Sequence, residues 1–190
     1  MKHPEQKGFT LIELLVVIAI IAVLAVVVVL TLNPAELLKQ ARDSNRISDL
    51  NTMKSALSLF VADGNTSLAT GYASCYVSTS TSPGANCDSA FSTNYATATT
   101  TGSKVINGSG WIPVNFNAIS SGAPISNLPV DPINNATYWY GYGATSSDTT
   151  FKLTARMESS KYADGGSGDV ESTDGGISSS TYEVGTKISL

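Results

Sequence analysis

Histidine is almost missing from this chain, charge is scarce, and cysteine occurs only twice; each shortage narrows what the 190 residues can do. The single histidine is His3, so residues 9–190 contain no imidazole. Ser-His-Asp, Cys-His and histidine-zinc chemistries are thereby excluded from that part, and paired carboxylates are the main catalytic option left. Glu158, Glu183 and Asp131 are the candidates for such a pair, against the plainer reading of acids solvated on strands and loops. Eleven Lys and Arg against fifteen Asp and Glu give a net charge of −4, with no general basic field for nucleic acid.

The shortage of charge is most pronounced over residues 9–32, 24 residues whose only ionisable side chain is Glu13. As a helix rising about 1.5 Å per residue, this run is long enough to cross the roughly 30 Å hydrocarbon layer of a bilayer. Lys2 and Lys7 precede it and no basic residue follows until Lys39. The positive-inside bias then leaves the N-terminus in the cytoplasm and exports everything after Leu32. An acid inside such a run costs about 2.5–3.5 kcal/mol on insertion scales, so Glu13 either snorkels to the interface or marks a function and needs a partner. The polar leader, residues 1–8, ends at Gly8 on the cytoplasmic side of the apolar run. A secretory signal is cut after its apolar region instead.

The order of basic leader, Gly8, Phe9-Thr10-Leu11-Ile12-Glu13 and apolar helix resembles the type IV prepilin signature. The resemblance implies that an integral-membrane prepilin peptidase cuts after Gly8 and methylates the new amine of Phe9. Glu13 becomes an assembly residue, and subunits pack helix to helix into a helical homopolymer on an inner-membrane pilus or secretion platform. Before assembly the chain is single-pass in the cytoplasmic membrane, surrounded by lipid; afterwards it is extracellular. Loss of Lys2, Glu5 and Lys7 takes the formal charge from −4 to −5.

Cys75 and Cys87 fall in the exported part, where an even count reads as a disulfide, with metal binding the weaker alternative. The chain-entropy model gives a loop of this size about 3 kcal/mol. The residues between them, YVSTSTSPGAN, have few large apolar side chains with which to order themselves.

Residues 33–64 read as an amphipathic helix, entered through Asn33-Pro34, which bends or locally opens the chain. Leu37, Leu38, Ala41, Ile47, Leu50, Met53, Leu57, Phe60 and Val61 form its apolar stripe. Lys39, Arg42, Asp43, Arg46 and Asp49 form the opposite, solvent-facing side, and Asp63-Gly64-Asn65 ends the helix. Residues 65–110 read as a connecting loop region holding the disulfide. Residues 111–190 read as an antiparallel sheet of three to four strands, at 111–116, 138–142, 151–157 and, less clearly, 182–188. Alternation in 151–157 implies one buried face, which the helix stripe covers. The class is α+β, and the order of elements resembles the pilin fold.

Leu128-Pro129-Val130-Asp131-Pro132-Ile133-Asn134 reads as a surface turn, and it resembles the LPxDPxxN loop of major pseudopilins from type II secretion systems. Near the C-terminus, Asp164, Asp169, Glu171 and Asp174 lie among glycines and serines. Calcium, which takes six to eight oxygens at about 2.3–2.6 Å, is one reading, which the pseudopilin resemblance also carries; a solvated acidic loop is the other. No other cofactor is expected. Asn65, Asn107 and Asn135 each begin an N-x-S/T sequon. The expected function is a structural subunit of a type IV pilus, the alternatives being a major-type pseudopilin and, remotely, a membrane-anchored carboxylate enzyme.

Overall fold

The computed structural model describes residues 8–69, 74–80, 87, 90–91, 95–100, 102–145 and 149–190; residues 1–7 of the expected leader and parts of the expected loop region lie outside them. The chain divides into two units, Met1–Leu38 and Lys39–Leu190.

In the first unit, helix α1 spans Leu11–Leu32. It ends at Asn33, whose left-handed conformation (φ 38°, ψ 73°) is one that asparagine tolerates better than most residues. Helix α2, Pro34–Ala62, starts on the proline, where a missing N–H is no loss because the first helical donors have no intrahelical acceptor. The chain thus changes helix within one residue, and Pro34 opens a helix instead of interrupting one.

In the second unit, α2 contributes Leu50, Met53, Ala56, Leu57 and Phe60 to a core shared with a five-stranded sheet. The strands are β1 (Ser74–Val77), β2 (Ala96–Thr100), β3 (Tyr140–Ala144), β4 (Phe151–Ala155) and β5 (Tyr182–Gly185), in spatial order β2-β1-β3-β4-β5. β1, β3, β4 and β5 form the antiparallel part, and β2 adds to β1 in parallel. The α+β layout is the one expected, with two strands in a stretch read as loop. One expected strand is absent. Residues 111–116 bury Trp111, Ile112, Val114 and Phe116 without alternation, and Phe116 opens a short 3-10 turn, Phe116–Ala118. Pro113 offers no ladder donor, and Trp111 Nε1 donates instead to Pro129 O at 2.9 Å.

The sheet is covered on both sides, which corrects the expectation of one solvated face. Tyr76, Tyr140, Tyr142, Ala144, Phe151, Leu153, Ala155 and Val184 join the helix-side core. Cys75 and Val77 lie in a second cluster with Cys87, Ala90, Phe91, Tyr95, Trp139 and Leu190. All of β4 is buried, Lys152 and Thr154 included. Phe91 lies so close over the sheet that a Cβ at Gly143 would overlap its ring.

Candidate functional site

The N-terminal helix starts with reciprocal bonds. Thr10, extended at φ −77° and ψ 151°, is the N-cap of α1. Its hydroxyl oxygen accepts the Glu13 N–H at 3.2 Å, while Glu13 Oε2 accepts the Thr10 N–H at 2.8 Å and the Thr10 O–H at 2.9 Å. This capping box satisfies donors that a helix start leaves open, and it puts the carboxylate in the first turn, at the positive end of the helix dipole. Glu13 is therefore the third residue of the helix, with Oε2 already bonded. Glu13 Oε1 accepts no hydrogen bond from the described residues. The Thr-x-x-Glu spacing before an apolar run is the sequence signal for this geometry.

The rest of the segment is apolar and exposed. Every described side chain from Gly8 to Leu32 is exposed, Phe9 at 91 %. Leu11–Val29 is long and apolar enough to cross a membrane. Near the end of α1, Thr31 turns its hydroxyl back to Val27 O and Val28 O at 2.9 and 3.1 Å, so it presents no unpaired donor. Gly8 has no left-handed φ, and a Cβ there would meet no atom within 4 Å. The fold does not require glycine at that position.

Residues 4–29 match the family model described as the prokaryotic N-terminal methylation motif. The chain carries the type IV pilin and pseudopilin signature. No curated protein and no solved structure matches the chain. The match ends within α1 and does not reach the sheet-bearing unit.

That unit holds Asp131, Glu158 and Glu183, the candidates for a catalytic pair, and none of the three is simply solvated. Arg46, read as surface, is wholly buried. Its guanidinium donates to Asp131 Oδ2 at 2.6 Å and Oδ1 at 3.0 Å, to Asp43 Oδ1 at 2.7 Å and to Glu158 Oε1 at 2.6 Å. Arg42 grips Glu158 through two further bonds, at 2.9 and 2.7 Å. Asp43 is buried too, and its oxygens accept the N–H groups of Glu158 and Ser159 at 3.0 and 2.8 Å. Burial by itself would raise the Glu158 pKa, but the bonds from Arg42 and Arg46 outweigh it and hold the carboxyl below its ordinary value. Asp49 accepts the Tyr140 O–H at 2.8 Å, and burial is the larger influence, raising its pKa. Asp43 and Arg46, expected on the solvent face of α2, thus form a buried clamp onto the 128–134 segment and the chain just past β4, with Arg42 and Asp49 half-buried beside them. That segment is no free surface turn, since Leu128 and Asp131 are buried.

Glu183 is also buried, and its Oε1 accepts from Lys152 Nζ at 2.9 Å. Lys152 donates in addition to Ala90 O and to Ile188 O, three acceptors for three ammonium donors. Burial lowers the Lys152 pKa and raises that of Glu183, each against the attraction of the other. Cys75 and Cys87 are joined as a disulfide, with Cα atoms 6.2 Å apart.

Three of the four acids considered for calcium serve the backbone, and Asp164 is exposed. Asp169 accepts N–H groups from Gly165, Glu171 and Ser172 and the Ser172 hydroxyl, which together hold its pKa at about 2. Asp174 accepts from Gly176 and Glu183, and Glu171 from Met157 and Asp164. Among the described residues no three His, Cys, Asp or Glu side chains form a metal-holding group, so Asp164, Asp169 and Asp174 are not brought together as ligands.

Proposed function

We propose that this chain is a structural subunit of a type IV pilus, polymerised through α1 and without catalytic chemistry of its own. The observation that carries the reading is an apolar helix with no buried side chain among its described residues, whose one acid is already tied into its first turn. Such a surface is stable in lipid or against like helices and unstable in water. A prepilin peptidase cutting after Gly8 and methylating the amine of Phe9 would create a cation four residues from Glu13. Glu13 Oε2 is occupied by Thr10. Oε1 is then the oxygen to receive the amine of a neighbouring subunit, which makes Glu13 the assembly residue on the inner-membrane platform. Heterologous contacts that do not close on themselves then give a helical filament.

The pseudopilin reading has one observation in its favour. The 128–134 segment, which resembles the loop of that group, is anchored to α2 through Asp131 and Arg46.

The test is shear release of surface fibres from cells producing the chain, followed by intact mass. The expected mass lacks residues 1–8 and carries one added methyl group on Phe9. Because the fold leaves room at Gly8, Gly8→Val should leave the folded unit intact while abolishing cleavage and fibres. Fibres built from chains with an intact leader would overturn the reading, and processed chains that never leave the envelope would favour the pseudopilin.

A further inference from the structure

Three sequons leave open which asparagine, if any, is modified. The five-residue sequence Asp63-Gly64-Asn65-Thr66-Ser67 differs from the other two. Asn65 alone has an acid two positions before it, where Asn107 has Val105 and Asn135 has Ile133. The structure puts this sequence just past the end of α2. Gly64, at φ +86°, is the left-handed residue that stops the helix, and the Gly64 and Asn65 N–H groups cap Val61 O and Phe60 O at 3.0 and 3.3 Å. Asp63, Gly64, Thr66 and Ser67 are exposed, Asn65 is half-buried, and none of the five is paired in the sheet. Ser120 donates to Asp63 through its hydroxyl and its N–H, which hold the carboxyl below its ordinary pKa and keep it ionised.

We infer that Asn65 is an N-glycosylation site, the acceptor of an oligosaccharide carried on a polyprenyl pyrophosphate, with Asp63 and Ser67 as the side chains a transferase reads. An amide nitrogen is a poor nucleophile because its lone pair is delocalised into the carbonyl, so an enzyme must take hold of both N–H groups. At Asn65 they are weakly committed: Nδ2 donates to Phe60 O at 3.3 Å and to Asp63 Oδ2 at 3.2 Å, both at the long end of the hydrogen-bond range. Releasing them opens one helix-terminal turn and leaves Leu68, the next buried residue, in the core. In the transfer, the bond from Nδ2 to the sugar C1 forms. The bond from C1 to the pyrophosphate oxygen breaks, the lipid pyrophosphate leaves with the electron pair, and the Nδ2 proton passes to a transferase carboxylate. Asp63 offers a fixed negative charge for a basic group on that enzyme, and Ser67 a free-standing hydroxyl two residues on.

This inference rests on export of the Lys39–Leu190 unit. The experiment is mass spectrometry of peptides from the full chain isolated from its own cells, with the N-terminal peptide read in the same digest. The expected result is a glycan mass on the peptide holding Asn65, none on Asn107 or Asn135, complete loss in Asn65→Gln and in Ser67→Ala, and retention in Ser67→Thr. A wholly unmodified Asn65 overturns the inference, as does a sugar mass that survives Asn65→Gln, which would be O-linked to Thr66 or Ser67. A methylated Phe9 beside an unmodified Asn65 overturns this inference alone; an unprocessed N-terminus overturns the pilus reading.

Discussion

Arg46 shows how much a single side chain can organise here. It is buried among three carboxylates, and removing it leaves Asp43 and Asp131 without their cation in a low-dielectric interior. Arg46→Ala is expected to destabilise the Lys39–Leu190 unit by about 3–5 kcal/mol, the range for breaking one side of a buried pair; urea denaturation measures it, and a loss below 1 kcal/mol would contradict the clamp. Glu158 gives the acid dependence. Its folded pKa lies below the ordinary 4.5, so the stability it adds is complete above about pH 4.5 and is lost as pH falls through the lower, folded value. The difference in Tm between wild type and Glu158→Gln should therefore shrink on acidification. A gap that stays constant from pH 6 to about pH 3 would count against this linkage. At Glu13, substitution by Val should leave membrane insertion unchanged and reduce fibre yield, because it removes an acceptor and no apolar contact; wild-type yield in cells with no other pilin would refute the assembly role. The Thr10–Glu13 box has a four-letter signal in the sequence, Thr-x-x-Glu, which the expectation of a partner for Glu13 did not use. The burial of Arg46 has no such signal, because its partner Asp131 lies 85 residues away and charges at helical spacing look the same whether they face water or a loop.

At the scale of elements, legibility followed length and periodicity. α1, α2, β3, β4 and β5 all lie where the sequence pattern put them, within a few residues at their ends. β1 and β2 did not stand out, since Ser74–Val77 is only four residues, buried on both faces from Cys75 to Val77 and so without alternation, and Ala96–Thr100 is mostly threonine. The second cluster depends on the disulfide, because it holds both cysteines and because Ala90 and Phe91 lie a few residues past Cys87. Replacing both Cys75 and Cys87 by Ser should cost about 2–5 kcal/mol and expose that face of the sheet to dye binding, with α1 unaffected. Unchanged stability and no added dye binding would show that the covering segment holds without its bridge.

For the whole molecule, the two units make separate demands. Among the described residues, the core clusters draw on Leu50 and later positions and on none of α1. A fragment of residues 39–190 should accordingly be water-soluble and unfold cooperatively, as circular dichroism during heating would register; a molten fragment would show that the apolar helix is needed for folding. The Arg42–Arg46 clamp also has a mechanical meaning. Tension applied along α2 reaches Glu158, just past β4, and the 128–134 segment through several short charge-assisted bonds from Arg42 and Arg46, which sit one helical turn apart. Load can thus pass from α2 to segments far away in sequence without travelling along the chain between them.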